Sequence, residues 1–160
     1  MTRSLISCSL IVALLLVSFG CFGQSQKAID DNLIKSYLEK NQIKATKTAS
    51  GLYYTVTQKG TGGKARFGKK VTMNYLGKFL DGKKFDANVD DNFQPIHPFS
   101  FVLGVGQVIQ GWDEGVQLLT IGSKATFFLP SAIGYGAKSV GPIPPNSVLV
   151  FDVELVSQDK

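Results

Sequence analysis

The sequence predicts an α+β domain in which an antiparallel sheet of about five strands wraps around one short helix. From Gly51 onward, short runs of alternating apolar and polar residues are separated by glycines, a pattern typical of strands joined by tight turns. One later segment instead has apolar residues three and four apart, which indicates a helix. The alternation further predicts that one face of the sheet is covered and the other is wet.

Residues 1–23 are predicted to be a secretory signal peptide that precedes the fold. Arg3 supplies a positive charge, and residues 10–17 are an unbroken apolar run. Such a run suits a secretory signal better than a membrane span, which needs about 20 residues. Two processing outcomes stay open: cleavage after Gly23, or lipoprotein processing that leaves a lipid on Cys21. Both predict export.

Residues 24–50 are predicted to form a short helix, over 28–42, and a polar connector. Apolar side chains recur there at helical spacing: Ile29, Leu33, Ile34, Tyr37 and Leu38. Asp30 and Asp31 lie near the predicted start, where carboxylates suit the helix dipole. The helix either packs against the domain or separates it from a membrane anchor, because a coiled-coil dimer arm would need several heptads. A monomer is expected.

The domain itself is predicted over 51–160. The strands are predicted at 52–57, 71–80, 99–103, 124–129 and 147–156. Asp81-Gly82 is a strong signal for a two-residue hairpin turn, after which the chain returns through 83–85. The helix is predicted over 108–119, where Gly111 is expected to leave room for close approach to the Trp112 indole. The glycine- and proline-rich loop at 132–146 is long enough to suggest a binding role.

The inventory of chemically reactive residues is small. Both cysteines, Cys8 and Cys21, lie in the leader, so the domain is predicted to have no disulfide and no cysteine nucleophile. His97 is the only histidine, which argues against a zinc site or a serine–histidine–acid triad. Neighbouring helix residues point apart, so Asp113 and Glu114 are predicted to be solvated. No metal and no cofactor are expected.

The charge pattern points to a soluble surface. The net charge is +5, but the lysines are scattered, with no block longer than two. No nucleic-acid partner is therefore expected. The glycines at 60, 62 and 63 are predicted to form a turn, because a phosphate-binding loop would be followed by a helix.

The aromatic residues of the second half suggest an apolar cup with a few polar groups at its rim, the usual form of a small-molecule or peptide site. Asp86 directly follows Phe85 at the end of a strand, and Tyr135 lies between two glycines. Burying a phenol in such a loop only for packing would be unusual. The pattern therefore predicts enclosure of an apolar group.

Six motifs, in order along the chain, closely resemble the FKBP family of peptidyl-prolyl cis-trans isomerases. They are Tyr-Leu-Gly at 75–77, Asp-Gly-Lys-Lys-Phe-Asp at 81–86, Phe-Ser-Phe at 99–101, Val-Ile-Gln-Gly-Trp-Asp-Glu-Gly at 108–115, Gly-Tyr-Gly at 134–136, and the segment 143–155. The resemblance covers about 51–156. It implies an FKBP-like fold and the isomerisation of Xaa-Pro bonds in an exported bacterial protein.

The resemblance also implies a binding site. Trp112 would form its floor, and the walls would be Tyr75, Phe85, Phe99, Val108, Ile109 and Phe151. The Ile109 backbone amide would bind a ligand carbonyl, and Ile143 would line the loop side. Catalytic roles are implied for Tyr75, Phe85, Asp86 and Tyr135, with the Asp86 carboxylate near the twisted amide and the Tyr135 hydroxyl as a donor.

Two departures from the family pattern bear on specificity. The loop after Asp86 is longer than usual and carries Asp90 and Asp91 where the family often has an arginine that pairs with the tyrosine and the aspartate. Gln107 stands where some members have glutamate. Both affect substrate preference and macrolide affinity more than activity.

The resemblance implies proline-containing unfolded or nascent exported polypeptides as partners, and macrolide immunosuppressants as ligands. The expected location is the periplasm, or a membrane-anchored lipoprotein whose only membrane contact is a lipid on Cys21. The alternative function is a non-catalytic FKBP-like chaperone that holds proline-containing segments.

Overall fold

A computed structural model describes residues 24–159, so the predicted signal peptide and its processing site lie outside the described residues. The helices are α1 (Gln26–Lys40) and α2 (Gln110–Gln117). The strands are β1 (Thr46–Lys47), β2 (Tyr53–Gln58), β3 (Lys70–Lys78), β4 (Lys84–Ala87), β5 (Phe99–Val102), β6 (Lys124–Leu129) and β7 (Leu149–Gln158). Between 24 and 159, no helix has the length and hydrophobicity of a membrane span.

The strands form one antiparallel sheet in the order β1-β2-β6-β7-β3-β4, with β5 also paired to β3. Helix α2 packs on the inner face of this sheet, where Trp112, Val116 and Phe127 are buried in the main core. The predicted α+β architecture is therefore confirmed. The sheet has more strands than the five expected because the return at β4 and the two-residue β1, inside the predicted connector, also pair.

Two glycines allow α2 to lie close to the sheet. A Cβ at Gly111 would be 2.4 Å from Leu129 Cδ2, and one at Gly115 would be 2.8 Å from Phe127 Cε2. Both distances are shorter than any ordinary carbon–carbon contact. The prediction that Gly111 leaves access to the indole is wrong, because the Leu129 side chain fills that space.

The turn between β3 and β4 differs from the predicted two-residue hairpin. Phe79 N donates to Lys83 O at 3.0 Å, and Gly82 N donates to Phe79 O at 3.0 Å. Gly82 alone among the turn residues has a positive φ, of 86°. This is the three-residue loop in which a type I turn is followed by a left-handed glycine.

Helix α1 covers one end of the outer face of the sheet. Ile34 and Leu38 of α1 form a second buried cluster with Tyr53, Phe128, Val148 and Val150. The prediction of a wet outer face is therefore wrong at this end. Of the two roles left open for the helix, packing against the domain is observed.

The two acids of α1 do not serve the start of the helix. The helix begins at Gln26 after the N-cap Ser25, and no acid lies in its first turn. Asp31 instead accepts hydrogen bonds from Lys35 Nζ at 2.8 Å, from Lys47 Nζ and from Tyr53 Oη at 2.7 Å. Asp31 thus connects α1 to β1 and β2.

Acid is expected to weaken this connection. The hydrogen bonds from Lys35, Lys47 and Tyr53 hold the pKa of Asp31 well below its ordinary value of 3.8. A lowered pKa contributes stability that is fully present above the unfolded-state value and is lost progressively as the pH falls from that value toward the lower folded-state pKa. We expect Asp31→Asn to be less stable than the wild type at pH 6 and the difference to be smaller at pH 3, measured by urea unfolding. A difference that persists unchanged at pH 3 would contradict this role.

Gly60 provides a second test of the fold. A Cβ at Gly60 would lie 2.2 Å from Ile121 O and 2.5 Å from Ser123 N, both backbone atoms that cannot rotate away. Gly60→Ala is expected to cost about 1–3 kcal/mol of unfolding free energy, measured in urea. Gly63 is the matched control, since its Cβ would meet nothing within 4 Å. Equal stabilities of the two alanine variants would refute the close backbone contact.

Candidate active site

A cavity of about 430 Å³ opens on the concave side of the sheet above the start of α2. Its nine lining residues come from β3, β4, β5, β7, α2 and two loops: Tyr75, Asp86, Phe99, Gln107, Val108, Ile109, Trp112, Tyr135 and Phe151. All but Gln107 belong to the site predicted from the sequence. The tertiary fold thus brings together residues up to 76 positions apart, counted from Tyr75 to Phe151.

The indole of Trp112 forms a rigid floor. Three rings meet it edge to face: Tyr75 at 5.2 Å, Phe151 at 5.3 Å and Phe99 at 5.8 Å between centroids, with interplanar angles of 87°, 89° and 88°. Such contacts are favourable beyond the burial of area. Trp112 is only 3% exposed, yet it lines the cavity. The floor is therefore held in place while one part of it stays accessible.

Phe85 and Ile143 lie outside the set of lining residues. The Phe85 ring packs edge to face on Phe151, with centroids 5.5 Å apart, so Phe85 contacts a wall residue without lining the cavity itself. Gly77 makes this contact possible, since a Cβ there would be 2.6 Å from Phe85 and 2.9 Å from Phe151. Ile143 is buried in the main core.

One carboxylate and two phenols line the cavity, and the carboxylate binds one of the phenols. Tyr75 Oη donates to Asp86 Oδ2 at 2.8 Å. Burial and, next, the Asp86 carboxylate raise the pKa of Tyr75 far above its ordinary value of 10.0. Burial and the same carboxylate also raise the pKa of Tyr135. Both phenols therefore stay protonated at neutral pH and are hydrogen-bond donors.

Asn88, which the sequence analysis did not single out, fixes the strand that carries Tyr75. Its Oδ1 accepts from Tyr75 N at 2.7 Å, and its Nδ2 donates to Met73 O at 2.9 Å and to His97 O at 3.0 Å. Asn88 is fully buried, and all its partners are backbone atoms. The sequence signal was an asparagine directly after a strand, but its partners lie 9, 13 and 15 residues away.

Asp113 holds the loop that leads into α2. Its two carboxylate oxygens accept from Gly104 N and Gly106 N, each at 2.8 Å. The prediction that Asp113 is solvated is therefore wrong. Because this loop continues into Val108 and Ile109, Asp113 shapes one wall of the cavity. Gln107 adds a further contact, since its Oε1 accepts from Val102 N at 2.8 Å.

The long loop after Asp86 folds away from the cavity. Asp90 Oδ1 accepts from Asn92 N and Gln94 N, each at 2.8 Å, and Asp91 forms an ion pair with Lys84. Neither acid lines the cavity. Within residues 24–159, no cluster of three or more histidine, cysteine, aspartate or glutamate side chains is arranged to hold a metal ion.

Comparison with known proteins agrees with the fold. The family model for FKBP-type peptidyl-prolyl cis-trans isomerases matches residues 61–156. FKBP-type peptidyl-prolyl cis-trans isomerase FkpA of Aeromonas hydrophila is 47% identical over 128 residues, which are 79% of this chain and 46% of that protein. A peptidyl-prolyl cis-trans isomerase of Schizosaccharomyces pombe is 47% identical over 91 residues, 56% of this chain and 78% of that protein.

Among solved structures, FkpA from Escherichia coli superposes with a TM-score of 0.69 at 36% identity, covering 83% of this chain and 61% of that one. AtFKBP13 superposes with a TM-score of 0.67 at 33% identity, covering 72% of this chain and 99% of that one. The chain spans less than half the length of the Aeromonas relative. On the family match and these identities, the chain belongs to the FKBP-type peptidyl-prolyl cis-trans isomerase family.

Proposed function

We propose that the protein catalyses the cis-trans isomerisation of Xaa-Pro bonds in exported polypeptides, and that the cavity above Trp112 is its active site. The observation that carries the proposal is an aromatic cavity with a carboxylate and protonated phenols in its wall. The names of the relatives agree with it, since several are named as this isomerase. The leader predicted at 1–23 supports export to the periplasm.

The reaction needs no covalent step. Rotation about an Xaa-Pro bond has a barrier of about 18–20 kcal/mol, because amide resonance is lost midway. The twisted amide has a less polarised carbonyl than the planar amide. Transfer from water into an apolar cavity therefore costs the planar ground state more than the twisted transition state. A turnover of about 100 per second requires the barrier to fall by about 5–6 kcal/mol.

Different residues around the cavity would contribute to the lower barrier in different ways. Trp112, Phe99 and Phe151 would enclose the pyrrolidine ring and restrict its orientation. Ile109 is the N-cap of α2, so its backbone N–H lies outside the helical hydrogen-bond pattern and is a donor for a substrate carbonyl. Phe85 would act by supporting Phe151.

The polar wall would act on the rotating amide. Asp86 is exposed at the mouth while it accepts from Tyr75, which aims the carboxylate. Its charge would act on the carbonyl carbon, which loses electron donation from the nitrogen lone pair as the amide twists. Tyr135 would donate its hydroxyl to the substrate.

A protease-coupled isomerisation assay on a proline-containing peptide tests the proposal. We expect the full-length protein to shorten the uncatalysed relaxation, which takes tens to hundreds of seconds, in proportion to its concentration. A macrolide of the FK506 class is expected to inhibit, because several relatives are named FK506-binding proteins. Suppressed aggregation of an unfolded protein with no change in the isomerisation rate would instead indicate a non-catalytic chaperone.

N-terminal mass analysis of the exported protein separates the two processing outcomes. Cleavage after Gly23 leaves Gln24 as the first residue, whereas lipoprotein processing leaves a lipid-modified Cys21.

A further inference from the structure

We propose that Asp30 of α1 is a positioning residue for Tyr135 and acts through Ser131. This inference rests on the proposed function and deepens it, because it assigns a role at the active site to a helix on the opposite face of the sheet. Asp30 and Ser131 are 101 residues apart and both are buried, at 0% and 2% exposure. Neither residue lines the cavity.

The contact between α1 and the loop is built on one carboxylate. Asp30 Oδ2 accepts from Ser131 N at 2.8 Å and from Ser131 Oγ at 2.6 Å. Its other oxygen, Oδ1, accepts from Gln26 Nε2 at 2.7 Å. Burial of a carboxylate is costly unless hydrogen bonds compensate it. Burial of the Asp30 carboxylate therefore depends on Ser131 staying within hydrogen-bond distance of it.

Ser131 in turn determines where Tyr135 lies. It begins a short 3-10 turn, Ser131–Ile133, and its carbonyl oxygen accepts from Gly134 N at 3.0 Å and from Gly136 N at 2.8 Å. These two glycines flank Tyr135, which lines the cavity. The Gly136 carbonyl is bound from the other side by Asn146 N at 2.7 Å. An unbroken path of hydrogen bonds thus runs from Asp30 to both neighbours of Tyr135.

Among the α1 side chains that bind or pack against the domain, Asp30 is the one that reaches the loop of Tyr135. Ile34 and Leu38 bury apolar surface on the sheet, and Asp31 binds Lys35, Lys47 and Tyr53. None of these contacts involves the segment 131–136. Loss of Asp31 should therefore loosen α1 at β1 and β2, whereas loss of Asp30 should release the loop that carries Tyr135.

The test is a double-mutant cycle in the full-length protein. Asp30→Ala is expected to lower kcat/KM by about threefold to thirtyfold, mainly through kcat, because the Tyr135 hydroxyl would be misplaced in the transition state. In a Tyr135→Phe background the same substitution should have little further effect, since there is no hydroxyl left to position. Asp31→Asn, the matched control on the same helix, should leave kcat/KM unchanged.

Amide hydrogen exchange provides a measurement that does not depend on catalysis. Exchange at Gly134 and Gly136 should accelerate in Asp30→Ala and stay at the wild-type rate in Asp31→Asn. Should Asp30→Ala fail to fold, Ser131→Ala serves instead, because it removes only the Oγ bond and keeps the bond from Ser131 N.

Three results would overturn the proposal: unchanged kcat/KM in the Asp30 and Ser131 variants, equal losses with and without the Tyr135 hydroxyl, or equal losses in the Asp30 and Asp31 variants. If the wild type shows no isomerase activity, the proposed function fails separately. The exchange rates at Gly134 and Gly136 then still decide whether Asp30 holds the loop.

Discussion

Asp86→Ala is expected to lower kcat/KM by about tenfold to a hundredfold, the equivalent of one hydrogen bond to a charged group, while the domain stays folded. Asp86 is exposed at the mouth of the cavity and makes its side-chain hydrogen bond to Tyr75, so little packing is lost. The transition state would lose the only carboxylate in the cavity wall. The isomerisation assay gives the rate, and circular dichroism in urea gives the stability.

Asp91→Ala is the matched control for this prediction. Asp91 is another exposed carboxylate, on the loop that follows the strand of Asp86, but its ion-pair partner is Lys84 and it does not line the cavity. We expect wild-type kcat/KM for Asp91→Ala. The kcat/KM of Tyr75→Phe should lie between those of Asp86→Ala and Asp91→Ala, since the Asp86 carboxylate remains but loses the hydrogen bond from Tyr75 Oη that orients it. Wild-type kcat/KM in Asp86→Ala would remove Asp86 from the proposed mechanism.

Trp112→Ala is expected to have the largest effect on stability, a loss of about 3–5 kcal/mol in unfolding free energy. The indole is 3% exposed and four aromatic rings pack against it, so its removal leaves a hole in both the core and the cavity floor. Trp112→Phe, which keeps a ring, should lose less. Urea unfolding of both variants has to be followed by circular dichroism, because Trp112 is the only tryptophan and its replacement removes the tryptophan fluorescence signal.

Phe67→Ala controls for the loss of an aromatic ring in general. Phe67 is 68% exposed, and surface substitutions usually change stability by less than about 0.5 kcal/mol. A loss below about 1 kcal/mol in Trp112→Ala would contradict the description of the indole as part of the core.

The sequence was sufficient for those parts of the fold that depend on local patterns. Alternation predicted the long strands, and helical spacing predicted both helices, because these periods are set by the backbone itself. The outer face was predicted wrongly for a related reason. Val148 and Val150 alternate with inward residues as they would on any strand, and alternation does not reveal which element covers each face.

The roles of carboxylates could not be predicted from spacing. Asp30, Asp31 and Asp113 were all interpreted from their own helices, yet each binds groups outside its helix. Such partners are brought close only by the tertiary fold, and a polar side chain in a helix is compatible with either solvent or a distant donor. Gly111 illustrates the same limit, since its neighbour Leu129 comes from strand β6.

The residues around the cavity were predicted from family motifs rather than from periodicity. Eight of the ten predicted residues line one cavity in the structure, while Phe85 and Ile143 do not line it. Their catalytic and binding roles stay predictions until the variants are assayed. Asn88 was missed because its partners are backbone atoms, which carry no signal in the sequence.

On the proposed function, this cavity lowers the barrier to rotation about a bound Xaa-Pro bond without covalent chemistry. Two-dimensional NMR exchange spectroscopy on a short proline peptide, with catalytic amounts of the full-length protein and no protease, measures that rotation itself. We predict cis–trans exchange cross-peaks at mixing times below about 1 s, far shorter than the uncatalysed time of tens to hundreds of seconds, and weaker cross-peaks in Asp86→Ala at the same protein concentration. Peptide binding at the cavity with exchange no faster than in buffer would show that the cavity binds proline peptides without catalysing their isomerisation.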